Sequence, residues 1–99
     1  MNLGELKRLH DEHAALRALL DLALTDAPGL PGFLLDAGQR DWSRPRDVGA
    51  LETQLMDLRT LVGAVKEYED VVPGTWRERR VQFEARYGVL ELPSIGAPH

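Results

Sequence analysis

The chain has 99 residues, no cysteine, and 16 acidic against 12 basic side chains, which gives a formal net charge of −4 at pH 7. This length predicts a single domain. The absence of cysteine excludes a disulfide scaffold and a thiol nucleophile. The excess of acidic side chains disfavours nucleic acid as the main partner. Seventeen leucines beside only six aromatic residues favour helices packed on helices over a β-sandwich or barrel.

The first predicted helix spans residues 3–24, with Asn2 as its N-cap, and carries a heptad stripe. Spacings of three and four place the stripe on one helix face. The stripe consists of Leu6, Leu9, His13, Leu16, Leu20 and Ala23. Four further leucines widen the apolar surface beyond what one facing helix covers. They are Leu3, Leu19, Leu22 and Leu24.

A segment rich in proline and glycine, residues 25–32, ends this helix. The apolar residues that follow, from Phe33 onward, predict a short helical turn that ends near Gly38 and plugs the open end of the helix pair. A loop then leads to Ser43, which is the expected N-cap of the next helix.

The second long helix is predicted over residues 46–70 and repeats the heptad spacing. Its stripe consists of Val48, Leu51, Leu55, Leu58, Val62 and Val65. Because a breaker-rich segment separates two stripes of equal length, we expect an antiparallel hairpin. Gly63 costs about 1 kcal/mol inside a helix relative to Ala. It is either a neutral exposed position or a place where another backbone approaches closely.

A third, shorter helix is predicted over residues 76–87, with Thr75 as its N-cap and Gly88 as its end. The expected fold is therefore all-α: a long antiparallel hairpin, a short plug and a third helix folded back on it. Residues 1–87 form one helical domain. Residues 88–99 form an apolar tail, which contains Val89, Leu90, Leu92 and Ile95.

Two histidines on the first helix have metal-ligand spacing, since His10 and His13 lean to the same side of a helix. Over residues 10–13 the sequence His-Asp-Glu-His resembles the first helix of hemerythrin-like domains. That resemblance implies further ligands on the other helices. The only other histidine is His99, and the chain has no Glu-x-x-His pair. We expect no metal and no cofactor.

Neither catalysis nor membrane association is predicted. No hydroxyl residue has a nearby histidine in sequence to act as its base, and Gly29 and Gly32 alternate with prolines, which cannot donate to a phosphate. Charges begin at Glu5, unlike in a signal peptide, and no apolar run approaches the roughly 20 residues that span a bilayer. We expect a cytoplasmic protein that is not an enzyme.

The leading hypothesis is a protein–protein interaction module that self-associates through the first helix. A homodimer would join two hairpins into a four-helix bundle and bury the surplus apolar surface. The leucines expected at this interface are Leu16, Leu19, Leu20, Leu22 and Leu24. Other helical surfaces and the tail remain for a protein partner.

The alternative hypothesis is a nucleic-acid-binding protein that uses the third helix. Arginine and aromatic side chains bind phosphates and stack on bases. The residues that would do so are Trp76, Arg77, Arg79, Arg80 and Arg86. The competing interpretation is that the arginines pair with acidic faces of the hairpin while Trp76 packs on it.

Overall fold

The part of the chain that the structure describes folds into four α-helices. The computed structural model describes residues 2–26, 29–43 and 45–91, and in these ranges it contains helices and no strand. The helices are α1 (Leu3–Asp26), α2 (Gly32–Gly38), α3 (Val48–Lys66) and α4 (Gly74–Tyr87), with a short 3-10 turn at Glu69–Val71. The all-α class, the long helix pair, the short helix between them and the shorter last helix are confirmed.

The two long helices pack on each other, as expected. Arg59 of α3 pairs with Glu12 in the first half of α1, with Nη1 and Oε2 2.9 Å apart. Gly29, just after α1, packs against Val71, just after α3: a Cβ at Gly29 would lie 3.2 Å from Cβ of Val71. The segment after α1 therefore contacts the segment after α3.

A long connection, residues 27–47, joins the two long helices. The predicted plug, α2, lies within this connection. Its Leu34 is fully buried, so the connection contributes to the core.

The last helix, α4, packs on α1 in the opposite direction. At one end the indole Nε1 of Trp76 donates a hydrogen bond to the carbonyl oxygen of Leu19, 2.9 Å away. At the other end the guanidinium carbon of Arg8 lies 5.9 Å from the ring centroid of Tyr87. Antiparallel packing of α4 on α1 thus adds a third helix to the pair of long helices.

The two heptad stripes contribute most of the core, as their spacing predicted. Nine of the twelve stripe positions are buried. They are His13, Leu16, Leu20, Ala23, Leu51, Leu55, Leu58, Val62 and Val65. A repeat of three and four is the same when it is read backwards, so it specifies the buried face of a helix and not the direction of its neighbour.

Local hydrogen bonds determine where the helices begin. Asn2 caps α1 as predicted, since its Oδ1 accepts the backbone N–H three residues on at 2.8 Å. Asp47 caps α3 in place of Ser43, and its Oδ2 accepts the N–H three residues on at 3.1 Å. Thr75 lies inside α4, which has no side-chain cap. Gly88 ends α4 as predicted, with a φ of 102° that side chains rarely allow.

The segment after α4 packs back on the helices. Leu90 is only 1% exposed, and a Cβ at Gly63 would collide with the backbone oxygen of Glu91. Gly63 is therefore a place of close backbone approach, which is one of the two interpretations of its sequence position. Leu90 of the predicted tail therefore belongs to the core. Leu92 and Ile95 lie outside the described residues.

Candidate interaction surface

The leucines expected to drive self-association lie largely inside the monomer. Leu16, Leu19 and Leu20 are 0%, 3% and 2% exposed. Leu22 and Leu24 are partly buried against the same core. Other parts of the same chain cover Leu16, Leu19 and Leu20. Self-association through the predicted leucines stays a prediction.

Two elements supply that cover. Trp76 of α4 is fully buried and bonds to the backbone of Leu19. From the other side, α2 approaches so closely that a Cβ at Gly38 would collide with Cδ1 of Leu24. Folding therefore covers Leu19 fully and Leu24 in part, and we looked for a binding surface elsewhere on the molecule.

Two members of the predicted nucleic-acid site are not free to bind. Burial of Trp76 removes its ring from any base-stacking role. Arg80 is held between two carboxylates, with Nη2 2.6 Å from Oε1 of Glu69 and Nη1 bonded to Glu84. For Arg80 the competing interpretation, pairing within the molecule, is the one that the structure shows.

Glu84 is the centre of this ion-pair network. Its carboxylate also accepts from Nζ of Lys66 at 2.8 Å and from the N–H of Leu90 at 2.7 Å. Burial alone would raise the pKa of Glu84, but the hydrogen bonds from Lys66, Arg80 and Leu90 outweigh it and lower the pKa below its ordinary value. The network joins α3, α4 and the tail, which is a structural role.

The remaining arginines of α4 are exposed. Arg77 lies 3.8 Å from Glu69. Arg79 and Arg86 form no ion pair within 4 Å with a carboxylate of the described residues. The guanidinium of Arg86 lies 5.5 Å from the ring centroid of Tyr87. These two side chains are the cations of α4 that remain available to a partner.

Arg79 and Arg86 border a groove of about 220 Å³ between α1 and α4, which we name the arginine groove. Its floor contains the buried side chains of Leu19 and Phe83. The full lining is Ala15, Ala18, Leu19, Arg79, Gln82, Phe83, Arg86 and Tyr87. None of these residues carries a carboxylate, so the groove combines an apolar floor with a positive rim.

The charge next to the arginine groove is largely compensated. Asp11, on the neighbouring turn of α1, accepts from Nζ of Lys7 at 2.8 Å. This hydrogen bond lowers the pKa of Asp11; burial opposes it, and the positive charges of Lys7 and Arg86 add to it. Asp11 stays ionised at neutral pH and already has a partner in Lys7.

The two histidines line a second groove of about 450 Å³ on α1. His13 is buried, and its Nε2 lies 2.8 Å from Oε1 of Gln54 on α3. Its ring therefore joins the two long helices. Within the described ranges, no three histidine, aspartate or glutamate side chains come together in a way that could hold a metal ion.

No family model matches this chain, and neither a curated protein nor a solved structure shows significant similarity to it. None of the helices in the described part of the chain is long and apolar enough to cross a membrane. The function has to be argued from the surface itself.

Proposed function

We propose that the protein is a non-enzymatic interaction module whose arginine groove binds an acidic amphipathic helix of a partner protein. One observation carries this proposal: Arg79 and Arg86 stand above an apolar floor in a groove without a carboxylate. Such a groove offers burial to apolar side chains and paired charge to the residues beside them.

The spacing of the cations fits a helical ligand. Arg79 and Arg86 are seven residues apart, which places them on one face of α4 about 10 Å apart along its axis. Carboxylates two turns apart on a bound helix have the same spacing. A guanidinium binds a carboxylate through two parallel hydrogen bonds, which gives orientation as well as attraction. The groove is small, so we expect weak and transient binding.

Nucleic acid is the second candidate, because Arg77, Arg79 and Arg86 are all exposed on α4. Three features rank it below a protein ligand. Trp76 is buried, Arg80 is ion-paired, and the chain carries a net charge of −4. On α4, phosphates would be bound by Arg77, Arg79 and Arg86 alone, without an exposed tryptophan that could stack on bases.

A designed peptide pair tests the proposal. The first peptide is a fluorescent amphipathic helix with leucines on one face and glutamates on both sides of that face; the second replaces the glutamates with lysines. We expect only the glutamate peptide to raise its fluorescence anisotropy on binding. The double variant Arg79→Glu/Arg86→Glu should abolish that binding, while Arg46→Glu/Arg77→Glu, with the same change in charge on exposed positions outside the groove, should preserve it.

Two results would overturn the proposal. One is equal binding of the two peptides, or equal losses in the two double variants. The other comes from titrating labelled single- and double-stranded oligonucleotides at low and high salt. Oligonucleotide binding that is tighter than peptide binding and falls steeply with salt would identify nucleic acid as the ligand, because phosphate binding releases counterions.

A further inference from the structure

Charged side chains of α3 and α4 hold the main chain of the tail. Oε2 of Glu84 accepts from the N–H of Leu90 at 2.7 Å, and Nζ of Lys66 donates to the carbonyl of the same residue at 3.0 Å. Nη2 of Arg59 donates to the carbonyl of Val89 at 3.1 Å. Each of these contacts addresses a backbone group, as in the recognition of an extended peptide.

One side chain of the tail is buried in the same place. Leu90 is 1% exposed, while its neighbour Val89 is 66% exposed. The missing Cβ of Gly63 lets the carbonyl of Glu91 approach α3. We name the surface formed by Arg59, Gly63, Lys66 and Glu84 the tail cleft. It fits an extended segment with one buried leucine, and residues 88–91 occupy it.

We infer that the tail cleft exchanges its occupant between molecules, so that residues 88–91 of one copy dock in the cleft of a second copy. The tail of a second copy fits the cleft because residues 88–91 make the same contacts whether they come from the same molecule or from another copy. Exchange of an identical element conserves those contacts, which makes it a low-cost route to a dimer. This inference is independent of the arginine groove.

The fold supplies both a hinge and a helix that can stay in place. Gly88 separates α4 from the tail and has a φ of 102°; as glycine it reaches other backbone conformations without steric strain. Trp76 anchors α4 on α1 through its hydrogen bond to the carbonyl of Leu19, which does not involve the tail. The tail can therefore leave its own cleft while α4 remains packed.

Cross-linking between single-cysteine variants tests this inference, because the natural chain has no cysteine. Thr60 and Val89 are exposed and line one surface groove beside the tail cleft. The full-length variants Thr60→Cys and Val89→Cys, one of them labelled with 15N, are mixed and treated with a bismaleimide. The spacer of the bismaleimide is chosen so that a chain carrying both Thr60→Cys and Val89→Cys cross-links within itself. Mass spectrometry then measures the mixed cross-link.

We expect the Thr60–Val89 product between molecules to increase with protein concentration and to exceed a control product severalfold. The control pairs Thr60→Cys with Glu78→Cys, an exposed position about 15 Å along α4 from the hinge. Equal amounts of the two mixed products at every concentration would overturn the inference, because random collision would then explain both.

Discussion

Leu19 joins α1 to α4 through both its side chain and its backbone. The side chain is 3% exposed, and its carbonyl accepts the buried indole N–H of Trp76. The leucine three residues on, Leu22, is only partly buried. Leu19 and Leu22 thus have different environments, although the sequence analysis placed both among the leucines outside the heptad stripe.

This difference predicts unequal effects of truncation. Leu19→Ala should lower the free energy of unfolding by about 2–4 kcal/mol, because it leaves a cavity in a packed core. Leu22→Ala should lower it by about 1 kcal/mol, since less of its surface is buried. Urea denaturation of both variants measures this. Equal losses, or a change in oligomeric state without a change in stability, would contradict the burial of Leu19.

At Gly63 the structure predicts that alanine lowers the free energy of unfolding, whereas helix propensity alone predicts that alanine raises it. In an open helix, Gly→Ala gains about 1 kcal/mol. At this position the new methyl group would collide with the backbone of Glu91, and overpacking costs about 1–3 kcal/mol. We therefore expect Gly63→Ala to destabilise the protein by about 1–2 kcal/mol in urea denaturation. Gly74→Ala is the matched control, because no atom lies within 4 Å of its Cβ position, and it should be neutral or stabilising.

At the scale of elements, the network around Glu84 predicts how stability depends on pH. Its pKa is lower in the folded state than in the unfolded chain. Its contribution is therefore fully present above the unfolded pKa and is lost as the pH falls through the folded pKa. Urea midpoints measured from neutral to acidic pH should decrease, and Glu84→Gln should decrease less over that range.

The same variant also has an expected cost at neutral pH. Glu84→Gln removes one charge from a partly buried group of ion pairs and leaves Lys66 and Arg80 less well compensated. We expect a loss of about 2–3 kcal/mol. Asp57→Asn is the control, because its pair with Arg40 is longer, 3.5 Å, and more exposed; it should change stability by less than about 1 kcal/mol. Similar losses in both variants would contradict a special role for Glu84.

Much of each element could be predicted from local sequence, whereas the arginine groove could not. Periodicity identifies the buried face of a helix, and Asn2 and Gly88 mark helix ends by local chemistry. The groove depends on which helix covers which, a long-range choice that no local spacing determines. Its available signals were the small residues Ala15 and Ala18 and the seven-residue spacing of Arg79 and Arg86.

At the scale of the whole molecule, the elements that cover α1 determine what remains exposed. The 21-residue connection brings α2 onto Leu24, and α4 covers Leu19. The sequence stripes predicted the core residues and the helix pair. They did not predict which elements cover the leucines outside the stripe, because that depends on long-range packing.

Distances between spin labels check this arrangement. Labels at Thr25 and Asp70 should lie close together, because the nearby residues Gly29 and Val71 pack against each other. Labels at Lys7 and Asp70 should be farther apart by on the order of 20 Å, since Lys7 lies 18 residues back along α1. Electron paramagnetic resonance on the double-cysteine variants measures both. The reverse order of distances would contradict the contact between the two segments.

The most direct test of the proposed binding surface is to map a bound acidic helix by NMR. When the glutamate peptide is added to 15N-labelled protein, we predict that the largest amide shifts cluster along the arginine groove, at Ala18, Gln82 and Arg86. Changes should be small on the exposed face of α3 around Thr53 and Met56. Shifts that centre on that face of α3, or the absence of any cluster at saturating peptide, would contradict the assignment of the arginine groove as the binding surface.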